Sequence, residues 1–432
     1  MTTPRDESKP TEPTETTGHI GPTGLPEPPE LAELRQVARQ VAEERYAPHA
    51  EQWDRERTVL SVDERRYLGS LGWLGIALPE EYGGAGGTFA QALTVVEELA
   101  KVWPPAAFQV FESNVGPAQH LARLGTEEQK RRFLPGIISG DNAMAIGISE
   151  PDAGSAATDM TTRAEIRGDT VVVRGLKRWI SNGGEADRYL VYCRMGDRPG
   201  AKGIGAVIVE ADRKGVSFGA RERLMGFRGL PSADVILDDV EVPVENIVAR
   251  PPDGFRALFS MFSIERLGNT TMSLALGQAA LDKTIAYVQQ RQQFGRPIAE
   301  FQAVQVTLAD MLLQVESARL LRDRAVAELD AGRPSTLHVS LAKCAANEMA
   351  KRVTDMAMTL HGANGYTEEY GLERMHRDAH GWALAGGTPT IQRTRIASEL
   401  LGRSFDQRPA RPSGPSGPAA GQGGAGGDRK EG

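Results

Sequence analysis

The spacing of apolar residues along the chain first predicts a helical segment. From Pro29 to about Asn142, apolar residues recur at intervals of three and four, as on one face of a helix. A second helix is predicted over residues 89–101, and Thr126 with Gln129 forms a capping-box pattern that predicts the start of a short one. The apolar face of the first predicted helix consists of Leu31, Leu34, Val37, Ala38 and Val41.

Near Ala143 the pattern changes to short β-branched runs that alternate with Gly, Asp and Pro. Residues 161–166 and 170–174 flank Arg167-Gly168-Asp169, which predicts a hairpin. Strands that follow one another without helices between them favour an antiparallel sheet or a small barrel. Further strands are predicted over residues 189–194, 205–209 and 233–237.

After about Pro252 the helical pattern returns and continues to about Arg403. Gly332 and Pro334 end one long predicted helix, and a second covers residues 340–360. An apolar stripe runs along the first of these helices through Val304, Leu308, Met311, Val315 and Leu321.

These segments predict an α+β multi-domain protein, because 432 residues exceed what one compact core usually holds. We expect a helical N-terminal domain over 28–142, a middle antiparallel β domain over 143–250 and a C-terminal four-helix bundle over 251–405. Residues 1–27 and 406–432 are rich in Pro, Gly, Thr and charged residues, a composition that predicts disordered tails.

Composition excludes several functional classes. The formal net charge of -7 argues against nucleic-acid binding, which needs a basic face. The two cysteines, Cys193 and Cys344, suit free thiols, and no cysteine or histidine spacing predicts a metal site. No apolar run has the length of a membrane span, and the N-terminus lacks the apolar stretch of a signal peptide. The composition therefore predicts a cytoplasmic protein without an integral membrane segment.

Short motifs in a fixed order carry the functional information. The most distinctive runs from Ala145 to Ser155 (AIGISEPDAGS), and Trp179-Ile-Ser-Asn-Gly183 follows it. Each piece is weak alone, but together and in this order they resemble the acyl-CoA dehydrogenase family from about residue 30 to residue 403. The other pieces are residues 225–229 (MGFRG), 239–243 (DVEVP), 265–267 (ERL), 291–295 (RQQFG), 301–302 (FQ), 362–366 (GANGY), 377–378 (RD) and 387–393 (GTPTIQR).

The resemblance implies FAD as cofactor. Its neighbouring-subunit contacts would be Arg291, Phe294 and Gln302, which makes a homodimer the minimal unit and a homotetramer the family expectation. Arg suits the pyrophosphate because its planar fork binds two oxygens. The cofactor contacts implied within one subunit are Ile146, Ile148, Ser149, Gly154, Ser155, Trp179, Ile180, Ser181, Thr359, Gly362, Ala363, Thr388 and Thr390.

The family reaction needs a base that removes the α proton of an acyl thioester while FAD accepts a hydride from the β carbon. Most members carry this base as Glu in a Glu-Gly-Thr segment, but the matching position here is Gly386. Relatives that resemble isovaleryl-CoA and long-chain acyl-CoA dehydrogenases carry the Glu on an earlier helix, which matches Glu265. The resemblance thus implies catalytic roles for Glu265 and for the backbone N–H of Gly386, and substrate contacts at Ser155, Arg266 and Gly387.

Other positions depart from the family pattern, and they bear on the adenosine contacts and on the substrate. Ala156 stands where an Asp is usual, and Thr359 and Ala363 stand where Gln and Gly are usual. Thr390 replaces an acidic or amide residue, and Ser263 an aspartate of some relatives. Without the context, Glu265 would be a surface helix carboxylate paired with a neighbouring arginine.

Three readings of function stay open from the sequence. The first is an acyl-CoA dehydrogenase, whose thioester could instead sit on a carrier protein because both present the same pantetheine arm. The second is a flavin-binding partner subunit without its own base. The third is a flavin oxidase or monooxygenase, disfavoured because nitroalkane-oxidising relatives have an acid at the position of Gly386. An electron-transfer flavoprotein is the electron acceptor that the family implies.

Overall fold

The computed structural model describes residues 27–405. The predicted tails therefore lie outside the described residues, apart from Glu27, whose carboxylate pairs with Arg35 at 2.8 Å. No helix in this part of the chain combines the length and apolar character that a membrane span requires.

The first part of the chain is helical, as predicted. Thr126 caps α7 through the predicted box, accepting from the Gln129 N–H while the Gln129 side chain accepts from the Thr126 N–H. The helices are α1 (Pro29–Val41), α2 (Ala50–Glu56), α3 (Val62–Ser70), α4 (Phe89–Val102), α5 (Pro104–Asn114), α6 (Pro117–Leu124) and α7 (Glu127–Ile138).

The predicted apolar face of α1 is wrong at Val37, whose side chain is 48% exposed. Arg35 is buried instead, because its guanidinium donates to Glu98 at 2.8 Å and pairs with Glu27. A satisfied charge therefore occupies a helix face on which apolar spacing alone would place an aliphatic side chain.

The middle part forms an eight-stranded sheet with the path β6-β7-β3-β2-β4-β5-β8, and β1 pairs with β4. The predicted hairpin is present, with β2 antiparallel to β3. Most pairings are antiparallel, but β1 and β2 each run parallel to β4. The strands are β1 (Met144–Gly147), β2 (Arg163–Arg167), β3 (Thr170–Ser181), β4 (Arg188–Arg194), β5 (Ile204–Glu210), β6 (Val216–Phe218), β7 (Ser232–Pro243) and β8 (Ile247–Ala249).

The side chains on the two faces of β4 pack into different hydrophobic cores. Tyr189, Val191 and Cys193 pack inside the sheet, whereas Leu190 and Tyr192 face a core that includes Leu121 of α6 and Phe133 of α7. This alternation turns the Tyr192 side chain towards the helices that surround the candidate site.

The C-terminal part is a helical bundle linked by short turns, and it shares one continuous core with α1, α4 and α5. The predicted stripe on α10 includes the buried Met311 and Val315. Its elements are α8 (Gly254–Ser260), α9 (Phe262–Gln290), β9 (Gln292–Gln293), β10 (Arg296–Pro297), α10 (Gln302–Asp330), α11 (Thr336–His361), α12 (Leu372–Leu384) and α13 (Pro389–Leu400).

Candidate active site

The structure brings Glu265 and Gly386 together, although 120 residues separate them in the chain. Glu265 lies in the first turn of α9, and Gly386 lies in the turn between α12 and α13. A Cβ atom built on Gly386 would lie 3.9 Å from Glu265 Oε1 and 3.5 Å from Lys343 Cε of α11. The space left by the missing side chain is therefore bounded by a carboxylate on one side and a lysine on the other.

The Glu265 carboxylate has an unsatisfied oxygen atom near this turn. Its Oε2 atom is buried without a hydrogen-bond partner, and no cation lies within 4.0 Å of it among residues 27–405. Burial raises the pKa of Glu265 to about 7, while the charges of Arg266 and Lys343 act to lower it. A carboxylate that ionises near neutral pH is suited to general-base chemistry.

Arg266 anchors the turn instead of forming an ion pair with Glu265. Its Nε donates to the Gly386 carbonyl at 3.1 Å, and the guanidinium lies 5.4 Å from the ring centre of Phe259. Burial and the charge of Arg395 lower the pKa of Arg266 to about 9, against the opposing effect of Glu265. The backbone carbonyl of Gly386 is thus fixed by a buried cation.

The turn itself requires glycine. Gly386 and Gly387 have φ values of +66° and +92°, in the left-handed region that other residues adopt at a cost. The Gln392 amide donates to the Gly387 carbonyl at 3.0 Å, and the Thr388 hydroxyl caps α13 by accepting from Ile391 N–H. The Thr388 hydroxyl is therefore already engaged within the protein.

Three further titratable residues surround Glu265 that the sequence analysis did not select. Glu112 of α5 lines a small cavity together with Gln109, Asn142 and Asn182. Burial and the charge of Glu265 raise the pKa of Glu112 well above its usual value. Tyr192 and His120 are fully buried, their rings 6.5 Å apart, and the Tyr192 hydroxyl has no hydrogen-bond partner among the described residues.

A second group of predicted residues gathers at the ends of β1 and β3. The N–H of Arg178 donates to the Ser149 carbonyl at 2.8 Å, so the chain beyond β1 runs beside the end of β3. Ile146, Ile148 and Ser149 are partly buried there, as is Ser181. The Ile180 side chain is buried in the sheet core, and its carbonyl accepts from the Gly183 N–H at 2.9 Å.

The exposed ring of Trp179 is the observation that fits FAD. This residue has φ +62°, and its side chain is 52% exposed beside Ser149 and Ser181. An aromatic face exposed at a strand end suits the planar isoalloxazine ring. The residues present are therefore compatible with the cofactor.

Other predicted cofactor residues lie elsewhere on the surface. Arg291, Phe294 and Gln302 follow the C-terminal end of α9, and the Phe294 side chain is 92% exposed. The first of them lies roughly 40 Å from Glu265, given a helical rise of about 1.5 Å per residue. The remaining predicted contacts are exposed, in the loop after β1 (Gly154, Ser155), at the end of α11 (Thr359, Gly362, Ala363) and at the start of α13 (Thr390).

A lone charge among apolar residues is the signal that could have identified the missed groups. Glu112 lies in PPAAFQVFESN, and Lys343 lies in SLAKCAA, where neither charge belongs to a polar face. His120 and Tyr192 give no such signal, because their sequence neighbours are ordinary for a helix and a strand.

Comparison with known proteins identifies the family. Models of the acyl-CoA dehydrogenase N-terminal, middle and C-terminal domains match residues 28–141, 145–240 and 252–401. The 3-sulfinopropanoyl-CoA desulfinase of Paraburkholderia xenovorans is 40% identical over 384 residues, which cover 87% of this chain and 97% of the relative.

Solved structures agree with this assignment. Butyryl-CoA dehydrogenase of Megasphaera elsdenii superposes with a TM-score of 0.85 at 32% identity, covering 87% of this chain and 99% of that one. A glutaryl-CoA dehydrogenase of Mycobacterium smegmatis in complex with FADH2 superposes with a TM-score of 0.82 at 27% identity, covering 88% and 96%. The chain therefore belongs to the acyl-CoA dehydrogenase family of FAD-dependent oxidoreductases.

Proposed function

We propose that this flavoenzyme dehydrogenates an acyl thioester between its α and β carbons, with Glu265 as the base. The observation that carries the proposal is the buried, unpaired Oε2 of Glu265 beside the Gly386 turn. Burial holds the pKa of this carboxyl near 7, so the group can accept a proton at neutral pH and release it again afterwards.

The residues around the base have separate roles in the reaction. The backbone N–H of Gly386 donates to the thioester oxygen and stabilises the negative charge that develops as Glu265 takes the α proton. Arg266 keeps this donor in place through its bond to the Gly386 carbonyl, and Gly387 leaves room for the thioester. Bound FAD supplies the acceptor for the β hydride.

The cofactor would lie against the ends of β1 and β3. Trp179 and the backbone of Ile180 and Ser181 would face the isoalloxazine ring, with Ile146, Ile148 and Ser149 beside it. Gly154 and Ser155 would extend this contact, and Ser155 would also touch the substrate. Thr359, Gly362, Ala363, Thr388 and Thr390 complete the set proposed for the same protomer.

Arg291, Phe294 and Gln302 are proposed to contact the FAD of a second protomer. The support is distance, because one cofactor cannot lie beside the N-terminal end of α9 and also reach residues beyond its C-terminal end. A homodimer is then the smallest complete unit, and we propose a homotetramer as the assembled form.

The acyl group is proposed to be uncharged. Glu112 is close enough to feel the charge of Glu265, and no hydrogen bond or ion pair joins its side chain to a described residue. An acyl chain that ends in an acid would bring a second negative charge towards Glu265. Coenzyme A and a carrier protein both fit as thioester carriers, and an electron-transfer flavoprotein is the proposed electron acceptor.

Removal of a sulfinate group is the second candidate, favoured by the 40% identity to a 3-sulfinopropanoyl-CoA desulfinase. The two functions differ in an observable product. Dehydrogenation bleaches the flavin under anaerobic conditions, whereas desulfination releases a sulfur oxyanion from 3-sulfinopropanoyl-CoA.

The test mixes the FAD-loaded protein anaerobically with butyryl-, glutaryl- and 3-sulfinopropanoyl-CoA and follows flavin absorbance and sulfite. We expect butyryl-CoA to bleach the flavin and Glu265→Gln to slow this by about 10²–10⁴-fold, the usual worth of a general base. Glu33→Gln makes the same substitution at an exposed position and should not alter the rate of flavin reduction.

Other results would select another function. A protein that holds FAD but is reduced by no thioester would favour the partner-subunit reading or a carrier-bound substrate. A Glu265→Gln variant with the wild-type rate would remove Glu265 as the base, and rapid reaction of the reduced flavin with oxygen would favour an oxidase.

A further inference from the structure

Lys343 is a fully buried lysine next to the candidate base. It lies on α11, its Nζ donates to Asn347 Oδ1 at 2.8 Å, and no carboxylate lies within 4.0 Å of it among residues 27–405. A buried ammonium without an ionic partner is costly, so the fold tolerates it at the expense of stability. Burial and the charge of Arg266 lower the pKa of Lys343 to about 7, whereas Glu265 acts to raise it.

A chain of buried side-chain amides connects Lys343 to the glycine turn. The Asn347 amide donates to Asn269 Oδ1 at 2.9 Å and to Ser273 Oγ at 2.7 Å. The Asn269 amide in turn donates to the carbonyl of Trp382 at 3.0 Å and to that of Ala385 at 3.4 Å. The residue before Gly386 is thus held by the same network that holds the lysine.

The position of Lys343 also places it against the gap at Gly386. Its Cε lies 3.5 Å from the point where a Cβ of residue 386 would stand, and Glu265 Oε1 lies 3.9 Å from that point. Because residue 386 is glycine, it places no side chain between the Lys343 methylene and the Glu265 carboxylate. The charges of Lys343 and Glu265 interact through a low-dielectric interior with little screening.

The other charged and titratable groups around Glu265 come from different elements. Arg266 on α9 lowers the pKa of Glu265, and Glu112 on α5 faces the same interior. Tyr192 on β4 responds to the charge of Glu265, and Arg395 on α13 acts on Arg266. Two of these groups are joined to the turn that carries Gly386, Arg266 by a direct hydrogen bond to the Gly386 carbonyl and Lys343 through the side chains of Asn347 and Asn269.

We propose that Lys343 is a positioning residue that stabilises the charged form of Glu265 and fixes the Gly386 turn through Asn347 and Asn269. This inference rests on the proposed function, because it concerns the base of that reaction. It deepens that function by assigning a role to a buried cation that acts through Glu265 and through the Gly386 turn.

The test compares Lys343→Met with Lys351→Met, the same substitution two turns further along α11. The limiting rate of anaerobic flavin reduction by butyryl-CoA is measured against pH. Removing a positive charge raises the pKa of a nearby carboxyl, so we expect the midpoint of the Lys343→Met profile to rise by about one unit. The Lys351→Met midpoint should stay at the wild-type value.

A second variant tests the inference if Lys343→Met does not fold. Asn347→Ala retains the lysine but removes its hydrogen-bond acceptor, which disfavours the charged amine. We expect a smaller upward shift of the same midpoint together with a slower rate at every pH. An unchanged midpoint in Lys343→Met, or in Asn347→Ala where the first variant does not fold, would overturn the inference, because a merely structural lysine would alter stability without moving the profile.

A measurement without turnover separates this inference from the proposed function. Infrared difference spectra between each protein and its Glu265→Gln counterpart report protonation of the Glu265 carboxyl directly as the pH is raised. A shifted carboxyl titration in Lys343→Met supports the inference even if Glu265→Gln retains activity, in which case the proposed function alone is wrong. An unshifted titration rejects the inference even if Glu265 proves to be the base.

Discussion

Glu112 and Glu265 face one interior, and two buried carboxyl groups in the same environment ionise in sequence, not together. Burial raises the pKa of both. Arg266 and Lys343 oppose this effect at Glu265, whereas the charge of Glu265 raises the pKa of Glu112 further. The first proton therefore leaves Glu265, and the raised pKa of Glu112 favours its protonated form. We therefore expect the pair to supply one base and one hydrogen-bond donor.

Glu112→Gln tests this assignment through stability. A carboxyl whose pKa is raised by folding favours the native state below its unfolded pKa, and this contribution is lost as the pH rises through the folded pKa. Gln cannot ionise, so the variant should lose less stability than the wild type as the pH rises from about 4.5 into the alkaline range. Thermal unfolding of the FAD-loaded proteins measures the difference, with the exposed Glu128→Gln as control. A difference in stability between wild type and Glu112→Gln that stays constant across this range would contradict the raised pKa of Glu112.

Among the elements, the contact between α5 and α9 sets the distance between Glu112 and Glu265. Gly268 allows this contact, because a Cβ there would lie 2.4 Å from two atoms of the Phe111 ring. Phe111 is buried and stacks on Phe108, with 5.2 Å between ring centres, so it has little freedom to move aside. A side chain at residue 268 would therefore push α5 away from α9.

Gly268→Ala should destabilise the protein by about 1–3 kcal/mol, the usual cost of overpacking. Gly277→Ala on the same helix is the matched control, since a Cβ there would meet the flexible end of Met349 at 2.3 Å. The control should cost less because methionine can change its rotamer. Denaturant unfolding of both variants measures the difference, and equal losses would show that the Phe111 ring yields as easily as Met349.

The sequence patterns predicted elements better than contacts between them. The capping box of α7, the hairpin of β2 and β3 and the stripe on α10 depend on neighbours in the chain, and the structure confirms them. The apolar spacing placed Val37 on the buried face of α1. It could not predict the burial of Arg35, because that burial depends on a hydrogen bond to Glu98, 63 residues away. The environment of Glu265 was missed for the same reason, since its charged neighbours come from different elements. The predicted domain boundaries and the roles of the site residues stay predictions.

On the scale of the whole molecule, a buried ion cluster joins the N-terminal helices to the C-terminal bundle. Glu97 of α4 is fully buried and pairs with Arg319 at 2.7 Å and Arg322 at 3.0 Å, both on α10. Burial alone would raise its pKa, but these two cations, with Lys101 and Arg35, hold it well below the usual 4.5. The ionised form of Glu97 therefore stabilises the junction across the neutral range.

Glu97→Gln should lower the free energy of unfolding at neutral pH by about 3 kcal/mol, because the two arginines then lose their buried anion and keep only the more exposed Glu316 and Asp323. The stabilisation by a carboxyl with a depressed pKa is present above its unfolded value and is lost as the pH falls through the folded value. The gap between wild type and variant should therefore narrow in acid below about pH 4.5. Denaturant titrations at several pH values measure it, with the exposed Glu44→Gln as control. A gap that stays constant in acid would rule out this charge as its source.

Subunit complementation tests whether a complete site needs two protomers. If Arg291, roughly 40 Å along α9 from Glu265, contacts the FAD of a second protomer, each site combines Glu265 of one chain with Arg291 of the other. Glu265→Gln and Arg291→Ala chains should each be impaired as homo-oligomers. Refolded together, a mixed dimer contains one site with both defects and one with neither, so up to about half of the wild-type activity per dimer should return. If Arg291 served its own chain, every site in the mixture would carry one defect. No activity above the sum of the parent variants would then appear, and the FAD site would be complete within a single protomer.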